Sequence, residues 1–213
     1  MAHSSVVEEP GRTSPLVDDS RPLNVNSFLQ HLSTDEIREY YRSVATKDTV
    51  VCLNLNGDIN VGMMMRSAAL FGVENFVILG KRVYDRRTTV GIQNYLPHDR
   101  VRMTEGFHDE KLNEEAVKEF LIAAMEKYQV VLVEQNERSF PLPELNKRLE
   151  SCEKPPMFVF GNEGSGIPKS ILDIPGTLVL EIPQFGVGRS FNVSCACSIV
   201  LYERNRLREK DHQ

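Results

Sequence analysis

The sequence predicts a single α/β domain built on a mostly parallel sheet flanked by helices. Two observations carry this. Short apolar runs of β-type residues alternate along the chain with helical patterns, and three junctions pass through a loop rich in glycine or asparagine into a helix. With 213 residues, 41% of them hydrophobic, the chain is long enough to close one sizeable core.

Taken in order, residues 1–22 are mostly Ser, Pro, Asp and Glu. Burial there could not offset the entropy of ordering, so a flexible acidic tail is expected. Residues 23–47 form a short helical extension. Within it Ser33-Thr34-Asp35-Glu36 is a capping box, starting a helix that runs to about Ala45. The domain proper is expected over residues 48–210. Its strands are predicted at 49–55, 75–79, 129–134, 157–160 and 177–182, and its helices at 61–71, 112–127, 168–172 and 192–210, with a further short helix at 142–149.

Composition excludes several function classes. Cys52, Cys152, Cys195 and Cys197 show no C-x-x-C spacing and no nearby histidine, so buried reduced thiols are expected rather than a zinc site or disulfides. The five histidines are scattered, and no metal is expected. No apolar run approaches the roughly 20 residues of a membrane helix and the N-terminus lacks the basic-then-apolar layout of a secretory signal, so no membrane association is expected. A soluble intracellular protein follows, in the cytoplasm by preference over nucleus or organelle. A net charge of −5 argues against binding nucleic acid through bulk electrostatics. Locally, however, Lys81, Arg82, Arg86 and Arg87 crowd one stretch, and Arg204, Arg206, Arg208 and Lys210 line the C-terminal end. A solvated face would explain either run equally well.

Three motifs carry chemistry. In the first, 60–68, Val61, Met64, Met65 and Ala68 form a core stripe, while Arg66 falls off it. Its guanidinium would lean over Asn60 and Gly62 near the positive end of the helix, a corner suited to an anion. The second, Phe160-Gly161-Asn162-Glu163-Gly164-Ser165-Gly166-Ile167-Pro168, follows an apolar strand and opens a helix. Its glycines permit close approach of a ligand, but it is neither a P-loop nor G-x-G-x-x-G. The third, 182–194, leaves a strand through Pro183, Gly186 and Gly188 and enters a helix that Ser190 or Asn192 can cap. The stripe of that helix is Val193, Ala196, Val200 and Leu201.

The order and spacing of these motifs resemble the SpoU/TrmH branch of the SPOUT superfamily, over roughly residues 49–206. With Val133-Glu134-Gln135 they are most similar to the tRNA guanosine-2′-O-methyltransferase group. Phe191 stands where that family more often has Leu, and the N-terminal RNA-binding domain of many relatives has no counterpart here. The resemblance implies a SPOUT fold with a C-terminal trefoil knot and S-adenosyl-L-methionine as cofactor. The reaction would be methyl transfer to a ribose 2′-hydroxyl of RNA, tRNA by preference and rRNA as the alternative. A noncatalytic RNA-binding homologue is the rival from another class.

By the same resemblance the cofactor would contact Glu134, Gly161, Asn162, Glu163, Gly164, Ile182, Gln184, Ser190, Phe191 and Asn192. Arg66 would be the catalytic arginine, with Asn60, Glu163, Ser190 and Asn192 orienting it and the ribose. Because a guanidinium stays protonated, Arg66 is better suited to clamp a phosphate and stabilise a developing alkoxide than to act as base. RNA backbone would meet Arg66, Lys81, Arg82, Arg86 and Arg87. A homodimer is implied, with the stripe Val193, Val200, Leu201 and Leu207 as its candidate interface, or equally as intrachain core.

Overall fold

The computed structural model describes residues 24–80, 83–105 and 111–208. The expected tail lies outside the described residues. Helix α1 (Thr34–Val44) begins at the predicted capping box: the Ser33 side chain accepts from the Glu36 amide, and Glu36 accepts in return from the Ser33 amide at 2.8 Å.

The described strands form a seven-stranded sheet in the order β3-β2-β1-β6-β4-β7-β5, with every neighbouring pair parallel. The strands are β1 (Thr49–Leu53), β2 (Asn75–Leu79), β3 (His98–Val101), β4 (Gln129–Val133), β5 (Phe140–Pro141), β6 (Pro156–Phe160) and β7 (Leu178–Glu181). The five central strands are those the sequence predicts. A parallel strand buried on both faces reads as a continuous apolar run, and β1 and β6 are buried at every position. β3 and β5 lie at the sheet edges and went unpredicted, β3 because His98-Asp99-Arg100-Val101 carries no such run and β5 because it is two residues long.

Alternation along the strands divides the core in two. Val50 and Cys52 of β1 face one layer, with helices α2 (Asp58–Leu70), α5 (Leu145–Glu150) and α7 (Val193–Asn205). Val51 and Leu53 face the other, with α4 (Glu114–Ala124) and α6 (Lys169–Leu172). The predicted stripe of α2 is fully buried: Val61, Met64, Met65 and Ala68 are 0% exposed. Burying each of the three large ones contributes about 1.5–3 kcal/mol. That exceeds the ~1 kcal/mol of a helix cap, and α2 indeed starts at Gly57 without a side-chain cap.

Packing also settles the C-terminal helix. Val193, Val200 and Leu201 are buried within the chain, which corrects their assignment to an interface; Leu207 alone of that stripe is exposed. α7 ends at Asn205 rather than Lys210, with a turn at Arg206 and Leu207. Arg204 then closes on Asp48, which is 1% exposed, through bonds of 3.0 and 3.3 Å, joining the end of α7 to the start of β1. Desolvation holds the Asp48 carboxyl above its ordinary value despite the Arg204 charge. Of the cysteines, Cys52 and Cys197 are buried, with burial raising both thiols, whereas Cys195 is exposed against expectation. No described helix is long and apolar enough to cross a membrane.

Candidate active site

The three motifs converge at the C-terminal ends of β1, β6, β4 and β7, which are consecutive in the sheet. This is the edge at which open α/β sheets bind ligands. Side chains tie the loops together. Glu163, after β6, accepts from the Asn56 amide at 2.7 Å, the Gly57 amide at 3.2 Å and the Asn60 side-chain amide at 2.7 Å. The oxygen of that Asn60 amide accepts from Asn192 at 3.1 Å, and Asn192 in turn accepts from the Ser194 amide at 2.8 Å as the cap of α7. One chain of hydrogen bonds therefore spans all three motifs.

Electrostatics fit this bracing role. Desolvation pushes the Glu163 carboxyl up, but hydrogen bonds from Asn60, Asn56 and Gly57 outweigh it and hold the group below its ordinary value. An ionised carboxylate held this way is a poor general base.

Asn162 makes a second clasp. Its amide nitrogen donates to the Asn54 carbonyl at 2.6 Å, and its oxygen accepts from the amides of Gly164 at 2.8 Å and Ser165 at 3.2 Å. Its side chain is thus spent within the protein. Glu134, at the end of β4, accepts from the Ile167 amide at 3.0 Å. Gly161 is buried against the backbone of Gly166, and Gly166 adopts φ +66 where a Cβ would collide with the Glu134 carboxylate. Sequence reasoning missed Asn54 and Asn56. Their signal was three asparagines at Asn54, Asn56 and Asn60, spaced to face a partner loop after β1.

Other predicted residues stand apart from this bracing. Arg66 and Ser190 are exposed, and neither makes a side-chain hydrogen bond or ion pair to another described residue. Arg66 is not bonded to Asn60, Glu163 or Asn192. Because α2 begins at Asp58, three residues before the predicted start, Arg66 lies more than two turns into the helix. The helix dipole, felt within the first turn, therefore does not explain an anion there. Ile182 and Gln184 are half-buried, Phe191 is exposed, and Phe185 and Val187 stand fully in solvent at 98% and 107%. No atom lies within 4 Å of where a side chain on Gly186 or Gly188 would begin, so this loop offers bare backbone beside apolar groups. Such a lining suits an adenosyl group, which combines an apolar ring with polar edges.

Of the basic run, Lys81 and Arg82 lie outside the described residues. Arg86 and Arg87 sit on α3 (Arg86–Thr89), which the sequence did not predict. Arg87 is gripped by Asp85 at 2.6 Å. Among the described residues no cluster of His, Cys, Asp or Glu could hold a metal ion. Two open clefts, one of about 430 Å³ lined by Tyr41, Glu74, Asp99 and Tyr128, lie towards the starts of the strands, away from the three motifs.

Residues 47–202 match the model of the SpoU rRNA Methylase family. A tRNA (guanosine(18)-2′-O)-methyltransferase of Aquifex aeolicus is 39% identical over 66 residues, a stretch spanning 31% of this chain and 31% of that protein. The match thus covers about a third of the curated relative's length. Among solved structures, a TrmH/SpoU tRNA modifying enzyme of A. aeolicus superposes with a TM-score of 0.65 at 23% identity, covering 82% of each chain. An AdoMet-bound rRNA methyltransferase from Sinorhizobium meliloti superposes at 0.59 with 22% identity, covering 80% of this chain and 61% of that one. At such identities the likeness establishes the fold.

Proposed function

Because the chain belongs to the SpoU methylase family, we propose that it transfers a methyl group from S-adenosyl-L-methionine to a ribose 2′-hydroxyl of RNA. The observation that carries this reading is the pairing of a braced three-loop edge with an unengaged arginine, Arg66, on the helix that leaves that edge. The bound cofactor supplies an electrophilic methyl group on a positively charged sulfur. The loops at Glu134, 161–164 and 182–192 would hold it through backbone groups and through Ile182, Gln184 and Phe191. Asn60, Glu163 and Asn192 keep those loops together, and Ser190 has its hydroxyl available to the ligand. Arg66 holds the RNA phosphate next to the target ribose and lowers the cost of negative charge developing on the 2′-oxygen. When the methyl group is transferred, the hydroxyl proton would pass to that phosphate or to water. Glu163 does not take it, since its hydrogen bonds keep it a weak base.

tRNA is the proposed substrate, supported by the identity to the A. aeolicus tRNA enzyme. The family description and the S. meliloti enzyme favour rRNA as the second reading. We also propose a homodimer. Ile59, Met63 and Leu70 recur at i, i+4 and i+11 on the outer face of α2, all exposed, and Phe191 and Tyr202 are exposed on and beside α7, which packs along α2. This apolar face, rather than the buried stripe of α7, suits a second copy of the chain. The trefoil knot is proposed as well. In its support, the segment leaving β7 returns past the ends of β4 and β6 to reach Asn60, and α7 packs on α2.

Calorimetric titration with S-adenosylmethionine and with NAD tests the cofactor: binding of the first alone is expected, and failure to bind it would end the proposal. Incubation of bulk tRNA and of rRNA with labelled S-adenosylmethionine, followed by ribose-methylation mapping, then identifies the substrate.

A further inference from the structure

Gly62 lies four residues before Arg66, hence one turn below it on the same face of α2. A Cβ at Gly62 would collide with the Thr88 hydroxyl and come within 2.8 Å of the Asp85 carbonyl oxygen. The glycine therefore lets the turn 85–88 lie directly on the helix that carries Arg66.

The turn is fastened at several points. The Asp85 amide donates to the Asp58 carbonyl at 3.1 Å, at the first residue of α2. Thr88 donates through its hydroxyl to the Asp85 carbonyl at 2.7 Å, and Thr89, fully buried, bonds Gln93 and the Arg86 carbonyl. Val90 follows with φ +48, an arrangement that is strained for a β-branched residue and persists only where its surroundings impose it. With both threonines directed inward, Arg86 and Arg87 face solvent. Asp85 caps the turn through the Arg87 amide at 2.8 Å and grips its Nε at 3.0 Å, so the Arg87 guanidinium is held in place before any ligand arrives.

We infer that Gly62 is a positioning residue for RNA: it seats the turn 85–88 so that Arg66 and Arg87 contact successive phosphates of one RNA strand. The inference rests on the proposed methyl transfer to RNA and adds the element that sets the register of the strand over Arg66. Arg66 serves the reacting nucleotide. The turn serves its neighbour on the Gly62 side.

The test compares Gly62→Ala with wild type in steady-state RNA methylation over a range of salt, with S-adenosylmethionine affinity measured in parallel. The variant should show about a tenfold rise in KM for RNA, the loss expected for one charge-assisted contact, with kcat little changed. The slope of log KM against log salt should shrink by about 0.7–0.9, the signature of one lost phosphate contact. S-adenosylmethionine affinity should be unchanged. Adding Thr88→Ala, which removes the colliding hydroxyl, should recover part of the KM. A merely destabilising substitution would leave the salt slope alone, and an unchanged slope and KM would overturn the inference. Should Gly62→Ala not fold, Arg87→Gln carries the test without touching the packing: the same loss of slope supports the inference, and a wild-type slope overturns it. Absence of transfer by the wild-type protein would instead refute the proposed function.

Discussion

Glu163 and Arg66 belong to two of the three converging motifs, and the fold treats them in opposite ways. Glu163 takes three hydrogen bonds from Asn56, Gly57 and Asn60, and through Asn60 is linked to Asn192. Arg66 donates none to any described residue. Both belong to motifs the sequence marks as chemical, yet one is consumed in holding loops together and the other is left for something outside the chain. A carboxylate whose oxygens the protein satisfies contributes to architecture, whereas a guanidinium with donors left over is available to substrate.

Five substitutions sharpen or break this contrast. The largest effect is expected for Arg66→Ala, which should lower methyl transfer by about 10²–10³-fold while stability stays within ~0.5 kcal/mol of wild type. Rate assays and urea denaturation check the two halves. Glu163→Ala should act the other way, costing about 2 kcal/mol of stability by stranding three donors, after allowing for its partial exposure. That cost depends on pH. The folded carboxyl lies below its ordinary value of 4.5, so its stabilisation is complete above that value and is lost as pH falls through the lower folded value. The gap between Glu163→Ala and wild type in urea denaturation should therefore close in acid.

A double-mutant cycle probes the brace itself. Asn60→Ala and Asn192→Ala should couple by about 0.5–1.5 kcal/mol in stability, whereas Arg66→Ala should be additive with either. Coupling to Arg66 would remove the distinction between the two regions. The smallest effect is expected from Phe185→Ala. With that side chain fully exposed, stability should move by less than ~0.5 kcal/mol. S-adenosylmethionine affinity should still fall several-fold, as calorimetry would show, if the loop closes on the donor.

The five central strands and the buried stripe of α2 were legible in the sequence because burial on both sheet faces, or on one helix face, imposes an apolar period. Edge strand β3 was not, since His98-Asp99-Arg100-Val101 answers to solvent on its outer side. In the site, the motif residues could be named, but their division of labour could not. Whether Asn162 binds a ligand or the Asn54 carbonyl depends on which loops meet across more than a hundred residues of chain. The role of Gly62 was hidden for the same reason, as its partner Thr88 lies in a turn that shows no helical period.

The most direct test of the whole account is single-turnover transfer of labelled methyl from pre-bound S-adenosylmethionine to RNA, with wild type and Arg66→Ala side by side. Both proteins should bind the donor equally, and Arg66→Ala should move the label to a ribose 2′-oxygen about 10²–10³-fold more slowly than wild type. Transfer by Arg66→Ala at the wild-type rate would contradict the account.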